Sequence, residues 1–323
     1  MTPRARPPAI PEATYDHLPV LYDEVLAALS PTDGAVYLDG TVGMGGHSWG
    51  LLHHSAPRGT LLGMDRDRDA LALAATRLAD FGARATLVPA NFDEMGRVAQ
   101  RVGMGPFDGI LLDLGFSSVQ MDDPERGFSF HAASLPDMRL DRSHGPTAAD
   151  LIDQLSEQAL ADLIYRYGEE RQSRRIARAI VQHRPFTSAR VLGDVIAQAV
   201  RGKQGKIHPA TRTFQALRIA VNDELGAVER VLPDAVALLK PHGRLAVISF
   251  HSLEDRLVKQ FIRRETTDCL CPPEILFCTC GHRATLDAVL TPRKVIVPTD
   301  AEQRANPRAR SAKLRIAVRA QRE

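Results

Sequence analysis

The chain has 323 residues, of which 44% are hydrophobic and 25% charged, with a formal net charge of +2. This composition is typical of a soluble globular protein with enough length for two domains. No apolar run approaches the roughly 20 residues needed to span a bilayer, which argues against a membrane protein and favours a cytoplasmic enzyme. Residues 1–13 carry four prolines and no apolar segment, so they predict a flexible tail rather than a signal peptide.

The first predicted strand leads into a turn crowded with glycines. The apolar residues 35–38 precede the sequence Asp39-Gly40-Thr41-Val42-Gly43-Met44-Gly45-Gly46-His47-Ser48, after which a helix is predicted. Glycine lets backbone N–H groups approach a ligand closely, and a helix N-terminus favours negative charge. A strand, a turn and a helix in this order predict a pocket for a nucleotide-type cofactor. The alternative is an ordinary connection between a strand and a helix.

Acidic residues around this turn favour S-adenosylmethionine over NAD. Ser48 stands at the third glycine position of the G-x-G-x-x-G dinucleotide pattern. Asp39 would repel a pyrophosphate, but it suits the sulfonium and ammonium groups of S-adenosylmethionine. Residues 61–65 predict a second strand that ends at Asp65, whose carboxylate is placed to accept hydrogen bonds from ribose hydroxyls. An NAD oxidoreductase is the alternative that this pattern leaves open.

Strands and helices alternate along most of the chain. This rhythm predicts a parallel, Rossmann-like α/β sheet with helices on both of its faces. The further predicted strands are 85–88, 109–113, 243–250 and a closing pair at 294–297 and 312–318.

A long insertion separates the fourth strand from the fifth. Positions 113 and 243 are 130 residues apart, far more than one βα unit needs, and the apolar residues between them recur at helical spacing. The predicted organisation is therefore an α/β domain over 14–122 and 214–323, interrupted by a helical domain over 123–213.

Positive charge is concentrated in this insertion. Twelve Lys or Arg residues and only three acidic residues lie between positions 166 and 218, and a second basic cluster lies between 304 and 322. Such a concentration indicates a partner with a phosphate backbone. The alternative is a solvated helix face with no partner.

Candidate catalytic and binding residues follow the fourth and fifth predicted strands. Asp113 ends the fourth strand, where α/β sheets bind ligands, and can accept a hydrogen from an exocyclic amine that is to be methylated. Phe116 offers a stacking face or packs in the core, and Gln120 reaches the cofactor or the base or lies in a solvated loop. His251 can relay a proton near neutral pH. It can equally be structural, with Ser252 and Asp255 capping the next helix.

All four cysteines fall in one short segment. Cys269-Leu270-Cys271 and Cys278-Thr279-Cys280 are two closely spaced pairs that can wrap one tetrahedral, structural zinc ion. The spacing is tighter than in the usual C-x-x-C knuckle, so four reduced thiols in a surface loop are an equal alternative. No metal ligand is assigned from the sequence.

Several long motifs resemble one family, the bacterial small-subunit rRNA cytosine-N4 methyltransferases of the MraW type. The resemblance runs from about residue 17 to residue 318. It implies transfer of a methyl group from S-adenosylmethionine to N4 of a decoding-centre cytidine, conventionally numbered 1402, in 16S rRNA. The motifs that carry it are the glycine turn, Asp113-Leu114-Gly115 with Ser117-Ser118, Arg126-Gly127-Phe128-Ser129-Phe130, Asp137-Met138-Arg139, residues 208–218 and residues 250–256.

The resemblance also implies the site residues. Those implied for the cofactor are Gly45, Gly46, His47, Asp65, Phe92, Asp113 and Gln120. Asp113 and His251 are the candidate catalytic residues, and the inserted helical domain is expected to help grip rRNA. The alternatives are an amino-methyltransferase acting on DNA or another RNA, and an RNA-binding protein that has lost catalysis.

Overall fold

The computed structural model describes residues 19–116, 120–121, 123–200, 208–275 and 277–321. The tail predicted over 1–13 lies outside these ranges. The chain divides into two compact units, Met1–Gly115 with Ala227–Glu323 and Phe116–Gly226. The predicted insertion, 123–213, falls within the second unit.

The first unit contains a sheet whose described strands have the order β3-β2-β1-β4-β5-β6. Neighbouring strands are parallel except for β6, which runs antiparallel to β5. This arrangement confirms the predicted Rossmann-like α/β class. The strands are β1 (Val36–Asp39), β2 (Thr60–Asp65), β3 (Ala85–Pro89), β4 (Phe107–Asp113), β5 (Leu239–Ser249) and β6 (Lys313–Val318).

The central strands are apolar on both faces because helices cover both sides of the sheet. Leu61 and Leu62 are neighbours that point to opposite faces, and both are fully buried, as are Ile110 and Leu111. The helices of this unit, with α10 beginning just before its boundary, are α1 (Tyr22–Leu29), α2 (Gly46–His54), α3 (Arg68–Arg77), α4 (Met95–Val102), α10 (Glu224–Leu238), α11 (Ser252–Glu265) and α12 (Asp300–Ala305).

In its described residues the second unit is helical. Its helices are α5 (Ala148–Gln154), α6 (Glu157–Gly168), α7 (Ser173–His183), α8 (Ala189–Ala199) and α9 (Thr211–Asn222). Thr147 and Asp150 form a capping box at the start of α5, and Ser156 caps α6. Ile164, Ile176 and other apolar residues of these helices form a core of their own.

One predicted strand is wrong. Residues 294–297 form no strand in the structure, and only Ile296 pairs with β6, through hydrogen bonds in both directions with Leu314. The β-branched residues of this segment produced the apolar pattern. Two of them, Val295 and Ile296, are only half-buried and Val297 is exposed, so the segment lies along the sheet edge without extending it.

Among the described helices, none combines the length and apolar character that crossing a bilayer requires.

Candidate active site

Carboxyl groups gather at one edge of the sheet, where the parallel strands end. Asp39 of β1 pairs in register with Gly63 of β2 and Leu111 of β4, so Asp65 and Asp113 each lie two residues beyond its level. Glu254, in the first turn of the helix that follows β5, acts electrostatically on Asp113. This edge of an open α/β sheet is where ligands bind, and here it is acidic.

The glycine turn needs its glycines for conformation and for space. Gly43 and Gly45 have φ angles of +53° and +80°, a left-handed region that other residues rarely adopt. A Cβ atom on Gly40 would lie 2.7 Å from Leu112 Cδ2 and 3.1 Å from Phe92 Cβ, and one on Gly46 would collide with Pro19. The turn therefore presents bare backbone at the start of α2.

Ser48 explains why the dinucleotide pattern is broken. Its hydroxyl donates a hydrogen bond of 2.6 Å to Asp39 Oδ2, and the backbone N–H of Thr41 donates one of 3.1 Å to Asp39 Oδ1. Asp39 is almost fully buried, and burial raises the pKa of its carboxyl to about 6, against the two hydrogen bonds, which lower it. The serine thus holds a buried acid where a dinucleotide-binding protein would have a third glycine.

Asp65 ties the turn to the second strand. Its Oδ2 accepts a 2.9 Å hydrogen bond from Gly43 N–H, and its Oδ1 accepts one of 2.9 Å from Asp67 N–H. Burial raises the pKa of Asp65, and the two N–H donors partly offset that effect. Each carboxylate oxygen keeps a second lone pair, so these bonds leave acceptor capacity for ribose hydroxyls.

Asp113 lies at the end of β4, where other acids act on it. Burial, and then the charges of Asp39 and Glu254, raise its pKa well above the usual range. Its Oδ1 is buried and has no hydrogen-bond partner among the described residues. Its backbone N–H donates to Thr41 Oγ1 at 2.6 Å, which fixes the end of β4 against the glycine turn. A buried acceptor without a partner is costly unless a ligand satisfies it.

His47 lies beside Asp113 and does not neutralise it. The distance from His47 Nε2 to Asp113 Oδ2 is 3.8 Å, and the imidazole stacks on the Tyr22 ring at 6.0 Å between centroids. Burial lowers the pKa of His47 to about 4, so its ring is uncharged at neutral pH. The predicted residues Gly45, Gly46, His47, Asp65 and Asp113 are therefore brought together in the first unit.

In the connection after β3, Asn91 is a candidate site residue that the sequence did not predict, next to the predicted Phe92. Phe92 begins a short 3₁₀ helix, Phe92–Glu94, and packs against the core beside Gly40. Its neighbour Asn91 has a buried Oδ1 without a hydrogen-bond partner in the part of the chain that the structure describes. The sequence signal was available, since an amide at a strand end on the ligand-binding edge is a candidate for base recognition.

Two predicted residues belong to the other unit. Gln120 is buried there, and its role stays a prediction. Phe116 stacks on Phe128 with 5.3 Å between ring centroids, and the Arg218 guanidinium lies 4.5 Å from its centroid. This packing favours the core alternative for Phe116. The motif residues Ser117 and Ser118 lie outside the described ranges.

His251 takes the N-cap position that the sequence predicted for Ser252. It is the N-cap of α11, and its Nδ1 accepts a 3.4 Å hydrogen bond from Glu254 N–H. Glu254 Oε2 in turn accepts from His251 N–H at 3.3 Å, which completes a capping box. The predicted cap of Ser252 with Asp255 is wrong by one residue, because the helix begins earlier; Asp255 instead binds Arg315. A proton-relay role for His251 stays a prediction.

A family model described as the MraW methylase family matches residues 14–320. The chain belongs to the MraW methylase family. Relatives named ribosomal RNA small subunit methyltransferase H include one from Dehalococcoides mccartyi, 50% identical over 94% of this chain and 87% of its own. Another, from Geobacter sulfurreducens, is 52% identical over 94% of this chain and 99% of its own.

Likeness to solved structures is weaker. An rRNA methylase from Streptococcus thermophilus has a TM-score of 0.40 and 10% identity, covering 93% of this chain and 94% of that one. A similarity at this level says nothing about activity.

This MraW-family methylase is a methyltransferase whose methyl donor is S-adenosylmethionine, and the NAD oxidoreductase alternative is therefore excluded. The residues present fit such a donor. The glycines leave room for it, the acids Asp39 and Asp113 suit its positive charge, and the partnerless oxygens of Asn91 and Asp113 can accept hydrogens.

Proposed function

We propose that this chain methylates N4 of a cytidine in 16S rRNA, the decoding-centre cytidine conventionally numbered 1402, within the small ribosomal subunit. The substrate class follows the name of relatives that are about half identical over almost the whole chain. The amine acceptor rests on a single observation, the buried and partnerless Oδ1 of Asp113 at the end of β4. A cytoplasmic location is part of the same proposal, because ribosomal subunits are found there.

Asp113 would orient the amine and receive its proton. The donor supplies an electrophilic methyl group on a sulfonium. An exocyclic amine donates one hydrogen to Asp113 Oδ1, which turns its nitrogen lone pair toward the methyl group. After transfer the nitrogen carries an extra proton. Because burial and neighbouring acids raise its pKa, this carboxyl accepts that proton more readily than an ordinary aspartate does.

The cofactor would be held by the neighbouring residues. Gly45 and Gly46 would approach it with their backbone, and Asp65 would accept from the ribose hydroxyls. Phe92 would flank the adenine, with Asn91 Oδ1 placed to accept a hydrogen from it. Neutral His47 would contribute contact and polarity beside Asp113 without adding a second positive charge to the site.

The charge of Asp39 gives the site a testable pH dependence. Asp39→Asn removes a negative charge that raises the pKa of Asp113, so the ionised form of Asp113 becomes easier to reach. We expect the acid limb of the kcat–pH profile to move to lower pH. Activity measured across the acidic range in both proteins checks this shift. Asp80→Asn is the matched control, since Asp80 is exposed and is not among the charges that act on Asp113. An acid limb that stays in place in active Asp39→Asn protein contradicts the assignment.

Some of the basic residues counted in the second unit bind other residues of that unit. Arg184 donates to the carbonyls of Ile152 and Leu155, and Arg218 pairs with Glu224 at 2.8 Å. These two guanidiniums serve the unit itself. Residues 201, 203 and 206, which belong to the same count, lie outside the described ranges.

An exposed arginine face remains on and beside α7. Ile176 and Ile180 are buried on one side of this helix, while Arg174 and Arg178 are exposed on the other, about one and two turns beyond Arg171. Arg178 lies 3.3 Å from Glu157, whereas Arg171 and Arg174 form no ion pair with any described residue. Exposed guanidiniums at helical spacing can contact successive phosphates, which supports rRNA as the partner.

Neutralising this face should weaken RNA binding in a salt-dependent way. For Arg171→Gln with Arg174→Gln we expect the slope of log affinity against log salt to fall by about 1.4–1.8, because each lost phosphate contact removes about 0.7–0.9. Titration of a 16S rRNA fragment at several salt concentrations measures it. The control, Arg97→Gln with Arg101→Gln, changes the same charge on exposed positions of the first unit. Equal slopes for both variants would argue against a specific role for the α7 face.

Mass mapping of 16S rRNA tests the site of methylation. In a bacterium deleted for its own enzyme of this family, this chain should restore one methyl group on the decoding-centre cytidine. An Asp113→Asn copy expressed at the same level should not. Restoration of a methyl group elsewhere in the rRNA, or in DNA, would refute the proposal and favour another amino-methyltransferase activity.

A further inference from the structure

The segment between α11 and β6 contains a loop that apolar packing does not hold. Its base is closed where the N–H groups of Thr285 and Leu286 both donate to the carbonyl of Glu265, at 2.9 and 3.0 Å. Between positions 267 and 283 no described side chain is buried, and Phe277 is 83% exposed. Ordering such a chain opposes its conformational entropy, so another interaction must stabilise it.

The four cysteines of this loop converge on one point. Their Sγ atoms all lie within 4.8 Å of one another, with 4.0 Å between Cys269 and Cys280 and 3.6 Å between Cys278 and Cys280. Four sulfurs at about 2.3 Å from a central zinc ion stand about 3.8 Å apart at the corners of a tetrahedron. We propose that Cys269, Cys271, Cys278 and Cys280 bind one structural Zn²⁺ ion.

Backbone donors support the sulfurs in a reciprocal pattern. The N–H of Leu270, between the first two cysteines, donates to Cys280 Sγ at 3.3 Å. The N–H of Thr279, between the second two, donates to Cys271 Sγ at 3.4 Å. Each pair thus receives a hydrogen bond from the backbone of the other. Such bonds to ligand atoms orient them and stabilise the thiolate form that a metal requires.

The arrangement fits a metal better than two disulfides. Cys280 approaches both Cys269 and Cys278, so the sulfurs share a centre and do not separate into two bonded pairs. Thiolates select zinc among the common divalent ions, and four protein ligands leave no open position for a reacting water. The ion would therefore fix the loop, and this inference does not depend on the proposed rRNA activity.

Metal content of the full-length protein tests the site directly. Protein purified without metal-affinity steps and dialysed against metal-free buffer should contain about one zinc per chain by elemental analysis. Cys278→Ser should lose it. Phe277→Ala changes an exposed neighbour that offers no ligand, so it should keep the metal.

A second measurement covers the case in which Cys278→Ser misfolds. In the unaltered protein, replacement of zinc by Co²⁺ should give the visible bands of tetrahedral cobalt–thiolate coordination, and chelation should speed hydrogen exchange in residues 266–284. Zinc-free protein whose four thiols all react with Ellman's reagent while it is folded would overturn the proposal. So would bound iron in place of zinc, or two disulfides found by mass spectrometry after alkylation.

Discussion

Replacing Asp113 by Asn is expected to lower kcat by about 10²–10⁴-fold, the range seen when a positioned proton acceptor is removed. The amide keeps the size of the side chain, but it cannot take up the proton that leaves the methylated amine. The decrease should appear in kcat at saturating S-adenosylmethionine, because the substitution removes a proton acceptor from the chemical step. Radiolabelled methyl transfer to small ribosomal subunits measures it.

The exposed acid Asp80 provides the control for this variant. Asp80→Asn makes the same chemical change outside the acidic edge of the sheet and should leave kcat unchanged. Circular dichroism and S-adenosylmethionine calorimetry establish whether Asp113→Asn is folded and binds the donor. A folded, donor-binding Asp113→Asn protein that retains kcat within a few-fold would remove Asp113 from the chemistry.

Gly127→Ala should strongly destabilise the second unit. Gly127 has a φ of +68°, and a Cβ there would lie 2.6 Å from Asp137 N and collide with the carbonyl oxygen of Leu135. Both neighbours are backbone atoms that cannot rotate away. The left-handed conformation and the overlap together predict a loss of about 2–5 kcal/mol in the free energy of unfolding.

Gly145 separates these two contributions. Its φ is +82°, but a Cβ would meet nothing within 4 Å, so Gly145→Ala should cost only about 1–2 kcal/mol. Hydrogen exchange in α6 and α7 measures both variants in the unit that contains them. Equal losses for the two alanines would show that steric overlap at Gly127 is relieved by local movement.

The sheet could be predicted because its strands carry a strong signal. Parallel strands covered on both faces are continuous apolar runs, as in β4, and the runs of β1, β2 and β4 each end at an aspartate. The same pattern placed Asp39, Asp65 and Asp113 at the ends of the first, second and fourth strands. Helical spacing of apolar residues likewise predicted a helical insertion over 123–213.

The sequence pattern did not predict the individual contacts between side chains. Histidine is not among the preferred N-cap residues. The sequence therefore predicts the adjacent serine as the cap, although His251 is the N-cap in the structure. The hydrogen bond from Ser48 to Asp39 needs the turn to be folded before the two side chains meet. The sequence shows that Asn91 follows a predicted strand, but only the structure shows that its oxygen is buried without a partner among the described residues.

The chemical identity of the product tests the central claim most directly. Small subunits lacking the modification should be incubated with this protein and S-adenosylmethionine that carries a deuterated methyl group, then digested to nucleosides for mass spectrometry. We predict label in N4-methylcytidine, lost with Asp113→Asn. Label in 5-methylcytidine or another nucleoside, or no label from protein that binds S-adenosylmethionine, would contradict methylation of a cytidine amine.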